Sequence, residues 1–165
     1  MPRPQPVKPG PGQESVWAYP RPPRLERTPK HIEIWFGGVK IAETTGAFRV
    51  LETSHPPTYY LPREAFVPGV LTPAGGGSVC EWKGEASYWT LQAGGKAAPS
   101  AGWSYERPTP AFREMAGYVA VYAGRMDECR VDGERVTPQP GGFYGGWITG
   151  DVVGPFKGEP GTWGW

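Results

Sequence analysis

Cysteine and histidine are both scarce in this chain of 165 residues, with Cys 2 and His 2. Cys80 and Cys129 form no CxxC motif, so a four-cysteine zinc site is excluded. In a reducing compartment they are free thiols rather than a disulfide. His31 and His55 show neither an HxH nor an HExxH spacing, so no metal site is expected even with Glu52 added. A surplus of one charge is missing too. Lys+Arg 17 against Asp+Glu 16 leaves +1, too little for a bulk nucleic-acid binder, which must displace counterions from phosphates. No apolar run approaches the roughly 20 residues of a membrane span, and the opening MPRPQPVKPGPGQ lacks the apolar centre of a secretory signal. The expectations are no nucleic acid, no membrane, no metal or other cofactor, and a cytoplasmic location.

What the chain does have is glycine, proline and aromatic rings: Gly 25, Pro 21, Trp 8, Tyr 8 and Phe 6. Glycine and proline at this level suggest low complexity. The rings argue otherwise, because each buries on the order of 150–250 Å² and disordered chains are poor in them. A loop-rich globular domain with few long helices follows. Residues 1–30 form a proline-rich arm that has to be extended. Two outcomes stand for it, a mobile tail or a strap fastened by Trp17 and Tyr19, with residues 1–12 loose. Residues 31–137 form the β core. Residues 138–165, GGFYGGWITGDVVGPFKGEPGTWGW for the greater part, carry too many rings for a linker and wrap the same globular unit.

Period-2 alternation begins at residue 31. HIEIWF sets Ile32, Ile34 and Phe36 on one face, Gly37-Gly38 is a hairpin signal, and VKIAE and AFRVLET follow, so residues 31–53 predict a three-stranded meander. In its third strand Glu52 shares a face with Phe48 and Val50. A carboxylate on a core face needs a specific partner or a raised pKa. Pro62 precedes a helical turn at 63–66, TPAGGGS predicts a loop, and SVCEW and EASYWTLQ predict strands around Lys83-Gly84. AGGK predicts a hairpin turn at 93–96. PTPAFREMAG predicts a short helix capped by Thr109, with Pro110 in its first turn and Gly117 as its stop. YVAVY and ECRVDGERV are further strands.

CEWKGEASYW, residues 80–89, concentrates chemistry-bearing side chains. Lys83 precedes Gly84, where backbone can bend or admit a ligand. It is either a surface ion pair or a clamp for an anionic or carbonyl group. Glu52 is either a structural carboxylate, bonded to backbone or to Lys83, or a general base. Cys80 packs as a small hydrophobe, or is a nucleophile if Lys83 or His55 lowers its pKa. His55 precedes Pro56-Pro57 as a turn residue near a pocket mouth. Tyr59, Tyr60, Trp82, Tyr88, Trp89, Trp103 and Tyr105 supply more rings than one core face needs, and alternation sends half of them to a second face. That face either forms an aromatic ligand wall or is covered by the arm and tail.

FGGVKIAET, VLETSHPPTYYLP, CEWKGEASYW, AGWSYERPTPAF and GYVAVY, in this order across roughly residues 31–131, resemble the domain of unknown function 427 family of bacterial proteins. The most specific piece is Cys80, Trp82, Lys83, Gly84, Ala86 and Tyr88, and the tail resembles the family's longer members. The resemblance implies a small bent β fold, tent-like, similar to that of methionine-R-sulfoxide reductases and of a zinc-binding exchange-factor-like group. The zinc CxxC pairs of that group are absent here. The family is sometimes filed under a nucleotidyltransferase-like label. In this chain GGGS ends at Ser78, no Asp-x-Asp follows, and Asp127, Asp132 and Asp151 are scattered, so the paired carboxylates for metal-assisted transfer are not present.

The fold expectation is therefore mainly β, with small bent antiparallel sheets, one short helix and long Pro/Gly-rich ends. The functional expectation is a small-molecule-binding domain. Tyr60, Trp82, Tyr88, Trp103, Tyr105, His55 and Cys80 line its pocket, and Glu52 and Lys83 form its charged, catalytic pair. The alternative is a non-catalytic interaction domain, a homodimer included, working through arm and tail.

Overall fold

The computed structural model describes residues 4–80 and 82–165. Fifteen strands run in chain order: β1 (Glu14–Ser15), β2 (Arg24–Thr28), β3 (Ile32–Phe36), β4 (Val39–Thr44), β5 (Ala47–Leu51), β6 (Thr58–Tyr60), β7 (Leu71–Cys80), β8 (Gly84–Ala93), β9 (Lys96–Ser104), β10 (Val119–Val121), β11 (Glu128–Val131), β12 (Glu134–Arg135), β13 (Thr137–Pro138), β14 (Trp147–Ile148) and β15 (Val152–Val153). Among the described residues helical structure is confined to short 3-10 turns, the longest at Pro110–Met115. Among the described residues no helix is long and apolar enough to cross a membrane.

Three antiparallel sheets carry the fold, in the orders β12-β11-β3-β4, β2-β5-β6 and β10-β9-β8-β7. None closes into a barrel. The alternating HIEIWF segment becomes β3, which hides Ile32, Ile34 and Phe36 and turns through Gly37-Gly38 into β4. The third strand of the expected meander goes elsewhere. Strand β5 leaves β4 and pairs with β2 on one side and β6 on the other, with Leu25 opposite Val50 and Phe48 opposite Tyr60. All five β5 residues are buried, which a meander strand with one wet face would not be. One further expectation is corrected. TPAGGGS is the edge strand β7, not a loop, and its register slips between Pro73 and Gly77. Proline and glycine are tolerated there because an edge strand needs only one row of partners. Residues 96–104, where alternation is absent, are the inner strand β9.

The sheets enclose one principal core and two smaller ones. The principal core holds Ile32, Ile34, Ile41, Leu61, Leu91, Val119, Val121 and Trp147 between the β3 and β9 sheets. A second cluster, with Phe48, Val50, Tyr60, Trp103, Tyr105, Phe112, Met115 and Ala120, fills the space between β5, β6 and the β8–β9–β10 face. Reciprocal bonds between Leu61 and Val119 (N···O 2.8 Å each way) tie the β5 and β9 sheets together where these two cores meet.

Arm and tail fasten to each other and to this body. β1 pairs with β15, Val7 N–H donates to Gly154 O at 2.8 Å, and the Trp17 and Trp165 rings meet edge-to-face at 5.5 Å. Trp17 also packs, with Ile148 and Phe156, against Val16, Tyr19, Leu51 and Val152, the third cluster. The strap outcome therefore describes residues 14–28, and β2 carries the arm into a sheet as its edge strand.

Candidate functional site

The second core is incomplete on one side, and the gap is a cavity of about 580 Å³. Val50 and Glu52 reach it from the end of β5, Thr58 and Tyr60 from β6, Cys80 from β7, and Ala86 and Tyr88 from β8. Trp82 and Lys83 come from the β7–β8 turn, and Trp103 and Tyr105 from the end of β9. All nine sequence-derived site residues, Glu52, His55, Tyr60, Cys80, Trp82, Lys83, Tyr88, Trp103 and Tyr105, line this one space. The other histidine, His31, lies on the β3–β4 sheet between Glu33 and Glu43 and takes no part. Those three bring ligand atoms within 4.8 Å of one another, but the Lys40 ammonium already stands 2.9 Å from Glu33 and 3.3 Å from Glu43.

The deep wall is fixed by one buried hydrogen bond, Trp103 Nε1–H donating to Tyr60 Oη at 3.1 Å. Tyr60 is 1 % exposed, and burial pushes its phenol and that of Tyr105 well above the ordinary tyrosine range, so both stay neutral. Trp103 also packs on the Tyr122 ring at 4.6 Å between centroids. Nearer the rim Ser78 Oγ and Tyr88 Oη hydrogen-bond at 2.7 Å.

Glu52 lies one residue beyond β5, keeping the phase of Val50 but leaving the core. Its partners are Arg21 Nε at 3.5 Å and His55 Nε2 at 3.7 Å, not the Lys83 that the structural reading offered it. Among the described residues Lys83 has no carboxylate partner; its ammonium sits 5.8 Å from the Tyr105 ring centroid. Expecting Glu52 to point into a closed core was an error of strand length: β5 ends at Leu51, so the next side chain falls at the cavity edge.

His55 has a protonation state that can be worked out from its neighbours. Gly146 N–H, which can only donate, gives its proton to Gln139 Oε1 at 3.0 Å. That orients the Gln139 amide so that its nitrogen donates to His55 Nδ1 at 3.0 Å and to Lys157 O at 2.8 Å. Nδ1 is thus an acceptor, and the ring proton belongs on Nε2, facing Glu52. Burial, then the charges of Lys157, Arg21 and Lys83, push the imidazole down to a pKa of about 3. It is neutral at physiological pH.

Gln139, Phe143, Tyr144, Gly145 and Lys157 also line the cavity, and the sequence singled out none of them as site residues. Tyr144 and Phe143 carried a signal as tail rings expected to insert. Gln139 and Lys157 carried none, because neither lies in a motif and only the wrap of the tail brings them to His55. Tyr144 stacks edge-on against His55 at 4.7 Å, and the Lys157 ammonium lies 5.5 Å from the Tyr144 ring centroid.

The cavity thus offers neutral phenols, indole faces, a neutral imidazole N–H, a carboxylate and two ammonium groups. No curated protein matches the chain in a sequence comparison. A family model labelled NTP_transf_9 matches residues 24–132, which hold every site strand but none of the tail residues. The chain belongs to the family described as Domain of unknown function (DUF427).

Proposed function

We propose that this domain binds a small organic molecule in the cavity, with the rings of Trp82, Tyr88, Trp103 and Tyr105 against its apolar part and Glu52, His55 and Lys83 against its polar part. The observation that carries the reading is the convergence of aromatic and charged groups on one space of about 580 Å³. Ligand sites commonly measure about 300–1,000 Å³, mostly apolar with a few placed polar groups. A turnover step would use Glu52 with His55, which are 3.7 Å apart, for proton exchange, and Lys83 for a carbonyl or anionic group. The arm and tail, which an interaction domain would present outward, are paired with each other, and this favours the pocket over the oligomerisation reading.

The test combines native mass spectrometry of the purified protein with a ligand-observed NMR screen of small aromatic acids, amines and amides. Hits should bind the wild type and lose affinity about tenfold in Trp82→Ala or Tyr88→Ala, both half-buried positions, with the melting temperature little changed. Hits indifferent to both substitutions, or a screen without hits on a clean dimer, would move the function to an interaction surface.

A further inference from the structure

The charges around the cavity are unevenly satisfied, and this narrows the ligand that the binding reading leaves open. Among the described residues the acidic and basic side chains that line it are Lys83, Lys157 and Glu52. Glu52 already has a cation, Arg21, at 3.5 Å, and Arg21 is itself anchored by donating to Thr53 O at 2.8 Å. Neither lysine has a carboxylate partner among the described residues. Each has instead an aromatic face, Tyr105 at 5.8 Å for Lys83 and Tyr144 at 5.5 Å for Lys157. Both are half-buried. The two ammoniums belong to different parts of the chain, one to the β7–β8 turn and one to the tail, and they face the same neutral histidine.

Resting on the binding reading above, we propose that the cavity takes a planar organic anion, its ring lying against Trp82, Tyr88 and Tyr105 and its carboxylate or phosphate held by Lys83 and Lys157. Two ammonium groups set over aromatic faces, with no carboxylate partner among the described residues, give the cavity a cationic side, and an anion there is attracted to both. The neutral His55, its Nε2–H facing Glu52, adds no third cationic charge. Glu52 does not veto an anion, because Arg21 balances it. The tail is then part of the site: Lys157 supplies half the clamp, and Gln139 fixes the imidazole that lies beside it.

The experiment is isothermal titration of the full chain with two matched pairs. 2-Naphthoate against 2-naphthamide tests a carboxylate, and 2-naphthyl phosphate against 2-naphthol tests a phosphate. In at least one pair the anion should bind ten times or more as tightly as its neutral counterpart. Lys83→Ala and Lys157→Ala should each remove most of that preference, Lys157→Arg should keep it, and Lys96→Ala, at the exposed start of β9, should leave it unchanged. Lys→Gln versions serve if an alanine variant unfolds. Anion and neutral probes bound equally would overturn the charge assignment and leave the binding reading standing. A preference insensitive to both lysines would overturn it as well. No binding by any of the four would count against the cavity itself.

Discussion

Ser54, two residues after Glu52, adopts φ +72°, and its Oγ is buried with no hydrogen-bond partner among the described residues. Left-handed backbone costs a residue with a Cβ about 1 kcal/mol, and an unsatisfied buried hydroxyl costs about 1–3 kcal/mol. The backbone bonds of Ser54, N–H to Val16 O at 3.1 Å and its carbonyl accepting from Lys157 N at 2.9 Å, survive a change to glycine. Ser54→Gly should therefore stabilise the fold by about 1 kcal/mol after the extra unfolded-state entropy of glycine is subtracted. Urea unfolding checks it, and a loss of stability would mean that the hydroxyl has a partner. His55 gives a second residue-scale prediction. Its ring faces Glu52, Gln139, Tyr144 and the charges of Lys157, Arg21 and Lys83. Its pKa is about 3 when folded against an ordinary 6.5, so between these values the unfolded chain binds a proton that the folded one does not. Stability from His55 is full above pH 6.5 and falls with pH down to about 3, by up to about 1.4 kcal/mol per pH unit. Between pH 6.5 and 5.5, above the range where most carboxylates titrate, His55→Gln should flatten that slope. A slope unchanged in the variant would assign it to other groups.

At the scale of elements, two glycine turns lean on each other. A Cβ at Gly37, in the β3–β4 turn, would sit 2.1 Å from Ala93 O, and one at Gly94, in the β8–β9 turn, would sit 1.9 Å from Gly37 O. Both have positive φ, 62° and 56°. Gly37→Ala combines a backbone clash with a left-handed penalty and should cost about 2–3 kcal/mol. Gly38→Ala has the penalty without the clash, since nothing lies within 4 Å of its Cβ position, and should cost about 1 kcal/mol. Chemical denaturation of the pair separates the two effects. These turns were legible because Gly-Gly between alternating strands has a local cause. The partner of β5 was not, since alternation reports which face a side chain takes and says nothing of which strand lies alongside. β9 was missed for a related reason: Ala, Pro, Ser and Gly carry no hydrophobic period. Gly102 is there because a Cβ would meet Leu91 Cδ1 at 3.1 Å and Ala120 O at 3.2 Å, a constraint set by neighbours distant in sequence.

For the whole molecule, the nine residues that the sequence offers for a site converge on one cavity because most sit at or beside strand ends where ring-rich segments change face. Gln139 and Lys157 became visible only once the tail was seen to wrap. That wrap is structural. Trp147 is 1 % exposed, stacks on Tyr59 at 5.2 Å, and donates its Nε1–H to Val121 O at 3.2 Å inside the principal core. Burying a ring of this size contributes about 4–6 kcal/mol at roughly 25 cal/mol per Å², comparable with the entire stability of about 5–15 kcal/mol expected of a domain. The tail also pairs β15 with β1, so its loss leaves β1 without its partner strand. A chain ending at residue 136 should lose its cooperative urea transition and bind a hydrophobic dye. Trp147→Ala in the full chain, which keeps the β1–β15 pair, should remain folded but about 3–5 kcal/mol weaker. Were the shortened chain to unfold with the midpoint and slope of the full one, residues 24–132 would be self-sufficient, and the tail would be a cover on the cavity rather than part of the domain.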